Sequence, residues 1–201
     1  MLCVTGTGRC GTSLVAQFCK TMGYDPGGGW RDDVNAGLEN PQSVQWSHQI
    51  HEAVSAGLLP EFLAATGDAM RAFDRPVIKD PRFVSLPHTL DVWLSVRQDL
   101  RFLMLYRDEE KAVESSRQYL KWHGCGLPFD RHVANTREAV KRFLYRAVRA
   151  KLPLRVLYFP EVLDDYDSLH EALTSFGGLA IDKEAGREAW SGMVRRDFVH
   201  F

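Results

Sequence analysis

A chain of 201 residues can form one α/β domain with a substantial core and is too short for two comfortable ones. Hydrophobic residues at 45% and charged residues at 25% are ordinary for a globular protein, while a net charge of −1 excludes a generally basic, nucleic-acid-coating surface. Any anion site must therefore be local.

Residues 2–5 form a short apolar, β-branched run that leads into a glycine loop and then a helical pattern over 12–22, with Leu14, Val15, Phe18 and Cys19 on one face. The N-terminus enters this strand directly, without a basic segment and apolar run of the signal-peptide kind. No apolar stretch approaches the roughly 20 residues of a membrane span, so a cytoplasmic protein is expected. Cys3, Cys10, Cys19 and Cys125 show neither a CxxC pair nor metal-ligand spacing and read as reduced thiols. Residues 24–40, rich in Gly, Asp, Asn and Pro, predict a long surface loop of the kind that carries function.

Helical patterns follow over 43–56 and 59–73. Pro76-Val77-Ile78-Lys79 predicts a short buried strand ending at Asp80-Pro81-Arg82. An amphipathic stretch at 86–96 precedes residues 101–106, whose Phe102-Leu103-Met104-Leu105 centre is the clearest buried strand in the chain. A helix is predicted over 108–120 with Asp108 and Glu109 in its first turn, where acids suit the dipole. After a second loop at 122–130 come a helix at 131–150, a fourth strand at 154–159 and helices at 168–176 and 181–191. Gly177-Gly178 stops the first of these last two helices, and a basic tail at 193–201 ends the chain. Strands alternating with helices predict a parallel sheet in one α/β domain over 1–201, with no repeat or linker.

The stretch Gly6-Thr7-Gly8-Arg9-Cys10-Gly11-Thr12-Ser13 fits G-x-x-x-x-G-[KT]-[ST] between a strand and a helix. Glycines there let successive N–H groups face a phosphate, and the helix N-terminus adds its positive end. A nucleotide triphosphatase would carry Lys after the second loop glycine, where this chain has Thr12, with its loop cation at Arg9 instead. Asp80 and Asp108 stand at strand ends where a Mg²⁺ ligand could lie, but each adjoins a cation, Lys79 or Arg107. The carboxyl ends of the strands thus lead to Arg9, to Lys79 with Arg82, and to Arg107. Cations gathered at the ligand-binding edge of a neutral protein predict a polyanionic ligand.

Val4-Thr5-Gly6-Thr7-Gly8-Arg9-Cys10-Gly11-Thr12-Ser13-Leu14 resembles the 5′-phosphosulfate-binding loop of sulfotransferases, close to G-x-x-[RK]-[SC]-G-T-[ST]-L. Leu105-Tyr106-Arg107-Asp108, with Ser115 further along the next helix, is similar to that family's 3′-phosphate motif. Gly37-Leu38-Glu39-Asn40-Pro41 and Ile78-Lys79-Asp80-Pro81-Arg82 resemble segments of the bacterial and protein-tyrosine branches. Tyr158-Phe159-Pro160-Glu161-Val162-Leu163 resembles the family's late strand. The histidine base of the cytosolic branch has no counterpart at Lys79-Asp80-Pro81.

The resemblance implies a P-loop NTPase-like, three-layer α/β/α fold with a central parallel sheet of four to five strands. The donor it implies is 3′-phosphoadenosine-5′-phosphosulfate (PAPS), with 3′-phosphoadenosine 5′-phosphate as product and no metal. It implies that Gly8, Arg9, Cys10, Gly11, Thr12 and Ser13 cradle the 5′-phosphosulfate and that Arg107 and Ser115 hold the 3′-phosphate. Lys79 and Arg9 would neutralise charge during transfer, and Glu39 would serve as base to a hydroxyl or amine on a small molecule, carbohydrate or peptide. Asp80 is the second candidate base. His48 and His51 follow on the next helix, Arg195 and Arg196 could cover the 3′-phosphate, and Trp30 and Trp122 could line the acceptor site. A metabolite kinase using ATP and Mg²⁺ and a non-catalytic nucleotide-binding protein are the alternatives, and the acceptor and oligomeric state stay open.

Overall fold

The computed structural model describes residues 1–31, 36–119 and 127–194. Its centre is a parallel sheet of β1 (Leu2–Gly6), β4 (Val77–Lys79), β5 (Arg101–Tyr106) and β6 (Leu154–Tyr158) in the order β4-β1-β5-β6. The expected three-layer α/β/α arrangement is present, with four strands in the main sheet. Two further strands, β2 (Trp30–Arg31) and β3 (Ala36–Gly37), pair antiparallel inside the segment expected to be a loop. Two-residue strands are too short to leave a periodic signal, so the sequence pattern does not show them.

Alternation along the strands builds two cores. Leu2, Val4, Leu103 and Leu105 face α1 (Thr12–Thr21), α8 (Tyr166–Glu171) and α9 (Lys183–Met193), where they meet Phe18, Leu169 and Trp190. Cys3, Ile78, Phe102 and Met104 face the other way. They pack with Trp46 and Ile50 of α2 (Pro41–Ala56), Met70 of α3 (Leu59–Ala72), Trp93 of α5 (Thr89–Val96) and Phe143 of α7 (Phe129–Arg149). The register pairs Cys3 with Phe102 and Val4 with Leu103, which keeps both faces in phase. Edge-to-face aromatic contacts lock the second core, with Phe102 at 5.2 Å from Phe83 and 5.7 Å from Phe143. Cys3, Cys10 and Cys19 are buried and unpaired.

Three boundaries shift for local reasons. The amphipathic stretch at 86–96 becomes helical only from Thr89, as α5. A short separate helix, α4 (Arg82–Ser85), precedes it and stops because Leu86 comes before Pro87 and takes an extended conformation (φ −100°, ψ 121°). Helix α8 begins at Tyr166, ahead of the expected 168, since Asp165 caps it by accepting from the Ser168 N–H at 3.0 Å. It runs on as a π-helical turn over Ala172–Phe176, and Gly178 ends that turn with φ +80°. Helix α7 takes in Phe129 and Asp130, which belonged to the expected 122–130 loop. Among the described residues no helix is long and apolar enough to cross a membrane.

The chain reverses direction across the sheet at β1, with β4 on one flank and β5 on the other. Such a switch point opens a crevice at the carboxyl ends of the strands, and the loop at 6–13 lies there.

Candidate functional site

The loop at 6–13 joins β1 to α1 (Thr12–Thr21) through left-handed backbone at Gly8 (φ 83°), Arg9 (φ 51°) and Gly11 (φ 84°). Left-handed residues in a tight loop turn successive N–H groups toward one concavity, the geometry of an anion nest. Gly11 is the N-cap of α1, and no side chain caps it, so the helix presents its positive end there. A Cβ on Gly6 would lie 2.5 Å from the Leu105 carbonyl oxygen, so only glycine lets the loop leave the sheet this close to β5. The Thr7 hydroxyl is buried without a hydrogen-bond partner.

Two polar clusters flank this loop. On the β4 side the Lys79 ammonium is almost fully buried and donates to Ser13 Oγ at 3.0 Å and to the Gly37 carbonyl at 2.6 Å. Its third neighbour is Glu39 Oε1 at 3.5 Å. The cation missing from position 12 is thus supplied from the adjacent strand, beside the loop hydroxyl that follows it. Glu39 is set from both sides: the Leu38 N–H donates to Gly29 at 2.9 Å, and the Asn40 N–H donates to the Lys79 carbonyl at 3.1 Å. Asn40 also caps α2, accepting from the Ser43 N–H at 3.0 Å, with Pro41 at the first helical position.

Arg82 ties this cluster together. Its Nη1 donates to Glu39 Oε2 at 2.9 Å and to Asp80 Oδ1 at 3.2 Å, and its Nε donates to His48 Nε2 at 3.1 Å. The Asp80 carboxylate, with no exposed surface, also accepts from Ser43 Oγ at 2.7 Å, Ser47 Oγ at 2.9 Å and the Arg82 N–H at 2.9 Å. It faces α2 and Arg82 and does not open onto the loop, which leaves Glu39 as the accessible carboxylate of the pair. His48 is exposed, with its Nε2 taken by Arg82, and His51 is exposed too.

On the β5 side Arg9 Nε donates to Ser115 Oγ at 3.2 Å, across 106 residues of sequence. Ser115 is buried within α6 (Glu109–Tyr119). Arg107, only 7% exposed, donates from Nη1 to the Arg9 carbonyl at 3.1 Å, and its guanidinium carbon lies 5.5 Å from the Phe159 ring centroid. Arg9, Ser115 and Arg107 therefore meet at one point, while Ser13, Lys79 and Glu39 meet at another, with Cys10, Gly11 and Thr12 between them. Asp108 accepts from the Lys111 N–H at 3.1 Å. Among the described residues no group of three His, Cys, Asp or Glu side chains is arranged to hold a metal. Trp46, Trp93 and Trp190 are core residues. The Trp30 side chain, Trp122, Cys125, Arg195 and Arg196 lie outside the described residues.

Burial and charge set the protonation of the site. Burial pushes the Lys79 ammonium down, and attraction to Glu39 only partly offsets that. Burial pushes the Glu39 carboxyl up, but Lys79 and Arg82 outweigh it and hold the group below its ordinary value of 4.5. Arg107 is also lowered by burial and keeps its charge. Because the folded pKa of Glu39 lies below the unfolded one, its contribution to stability is complete above pH 4.5 and is lost as pH falls through the folded value. Glu39→Gln should therefore flatten the acid limb of stability below about pH 4.5, read as the urea midpoint from pH 7 to pH 3. An acid limb unchanged by the substitution would show that the Lys79 and Arg82 contacts carry no net stabilisation.

No protein-family model matches the chain, and no curated protein matches it. The site's own chemistry therefore carries the functional reading.

Strand pattern and motif spacing point to the loop, to Lys79 and to Arg107. They miss Ser43, Ser47 and Phe159, whose roles come from tertiary packing. For the two serines a signal does exist, since their spacing places both hydroxyls on one face of α2, toward Asp80.

Proposed function

We propose that the protein transfers a sulfuryl group from 3′-phosphoadenosine-5′-phosphosulfate to a hydroxyl or amine acceptor. The meeting of Arg9 with Ser115 and Arg107 carries this reading. It joins the loop suited to a 5′-phosphate to the residues suited to a second phosphate on the same ligand. The chemistry of the side chains around the loop fits that donor. The glycines leave the backbone close to any ligand, the Thr7 hydroxyl is buried without a partner, and Arg9, Lys79 and Arg107 supply positive charge at the switch point. The donor would bring a mixed phosphate–sulfate anhydride.

The chain's own groups then have distinct tasks. The loop N–H groups with Thr12 and Ser13 orient the 5′ end, and Arg107 with Ser115 recognises the 3′-phosphate. Lys79, already bound to Ser13, offsets charge on the departing oxygen. Glu39 is ionised at neutral pH, the form a proton acceptor requires, with Arg82 holding one of its oxygens and Lys79 at 3.5 Å from the other. Its basicity is limited for the same reason that it stays ionised.

A kinase would need a carboxylate free to hold Mg²⁺. Asp80 is turned to Ser43, Ser47 and Arg82, and Asp108 is turned to the start of α6, which argues for the metal-free reading.

Thermal shift separates the two. The wild type should be stabilised by 3′-phosphoadenosine 5′-phosphate without metal, and much less by ADP with Mg²⁺. Arg107→Ala should weaken bisphosphate binding by about 10- to 100-fold, the effect of removing a charge-assisted contact. It should change 5′-AMP binding far less. A preference of the wild type for ADP–Mg²⁺ would falsify the proposal.

A further inference from the structure

Phe159 lies just past the end of β6, where its N–H donates to the Tyr106 carbonyl at 2.7 Å and so continues the sheet by one residue. Its ring is buried and touches both halves of the site. A Cβ built on Gly11 would fall 2.5 Å from Cδ2 and 2.8 Å from Cε2 of the ring, so the loop's N-cap residue rests directly against it. The Arg107 guanidinium carbon lies 5.5 Å from the ring centroid, within the range of a cation–π contact. Arg107 in turn donates to the carbonyl of Arg9, in the same loop. Phe159, Gly11 and Arg107 thus form a closed set of contacts between the end of β6, the loop after β1 and the end of β5.

We propose that Phe159 is a positioning residue that fixes the spacing between the 5′-phosphate loop and Arg107, and so lets one ligand engage both phosphate sites together. This rests on the donor reading given above. A rigid aromatic ring suits the task because it cannot shorten or bend between its two contacts, whereas an aliphatic side chain in the same space could. Without the ring face, Arg107 loses the surface that keeps it extended toward the loop, and the loop loses its backstop at Gly11. Each phosphate site would still bind alone. What would be lost is their agreement in distance, which is a coupling between the two sites.

The test compares two probes on three proteins by calorimetric titration. The probes are 3′-phosphoadenosine 5′-phosphate and 5′-AMP; the proteins are wild type, Phe159→Leu and Phe159→Tyr. The wild type should prefer the bisphosphate. Phe159→Leu should lose about tenfold in affinity for the bisphosphate, a cation–π contact with its positioning effect, and less than about threefold for 5′-AMP. Phe159→Tyr, which keeps the ring, should return the bisphosphate affinity to within about threefold of wild type. Should leucine compromise folding, Phe159→Met refills the space without a ring and is expected to reproduce the selective loss. Equal losses for both probes, or a bisphosphate preference unchanged in the leucine and methionine variants, would overturn the role of Phe159 while leaving the donor reading intact. A wild type that does not distinguish the bisphosphate from 5′-AMP would overturn both.

Discussion

Asp80→Ala should destabilise the protein by about 3 kcal/mol, the low end of the cost of breaking a buried ion pair. The full range reaches about 5 kcal/mol when the orphaned charge has nowhere to go. Here Arg82 retains Glu39 Oε2 at 2.9 Å, which places the loss toward the lower figure. Part of the cost comes from Ser43 and Ser47, whose hydroxyls lie at 2.7 and 2.9 Å from Asp80 Oδ2 and would lose their acceptor in a buried setting. In a chain of 201 residues each kcal/mol moves the melting temperature by about 2–4 °C, so a fall of about 6–12 °C is expected in a calorimetric scan. Asp80→Asn keeps the shape and one acceptor oxygen but removes the charge facing Arg82, so it should fall between wild type and alanine. A loss under about 1 kcal/mol for alanine would mean that α2 and Arg82 are held without this carboxylate. Because Asp80 holds Arg82 and Arg82 holds Glu39, the same substitution should loosen the accessible carboxylate of the site.

The readable parts of this molecule are those whose physics is local. Buried strands of a parallel sheet are continuous apolar runs, and Phe102-Leu103-Met104-Leu105 declares itself for that reason. Glycines at 6, 8 and 11 between a strand and a helix mark the loop, because close approach at Gly6 and left-handed φ at Gly8 and Gly11 are hard for other residues to supply. Pro87 should have marked the break between α4 and α5, since the restriction on the residue before proline is itself local. What could not be read is proximity. Nothing in the spacing of Ser13 and Lys79 says that strand β4 lies beside β1, yet that neighbourhood is what puts an ammonium against the loop hydroxyl. The same holds for Arg9. Its position in the loop predicts a phosphate ligand, while its contact with Ser115 depends on α6 following β5 at the other flank of the switch point. Phe159 is the extreme case, an apolar core residue at a strand end whose contacts with Gly11 and Arg107 leave no mark in the local sequence pattern.

Lys79→Met should lower the rate of the proposed sulfuryl transfer by about 10²- to 10³-fold, the cost of deleting one preorganised charge at a developing anion. Methionine fills the stem volume of lysine, so the apolar part of the packing survives while the charge is lost. The rate can be followed as 3′-phosphoadenosine 5′-phosphate released from the donor, with a panel of hydroxyl and amine acceptors and with water alone. Product binding should weaken much less than turnover falls, since Arg9, Arg107 and the loop N–H groups remain. That split between rate and affinity distinguishes a group acting on the departing oxygen from one that merely holds the loop. Lys79 also touches the Gly37 carbonyl, so some loss of stability accompanies the change and must be measured beside it. Lys79→Arg keeps the charge but cannot fit a planar fork where a compact ammonium now sits between Ser13, Gly37 and Glu39, and it should recover little activity. If affinity for the bisphosphate collapses together with the rate in Lys79→Met, Lys79 is a binding residue of the ground state, and charge relief at the departing oxygen must come from Arg9.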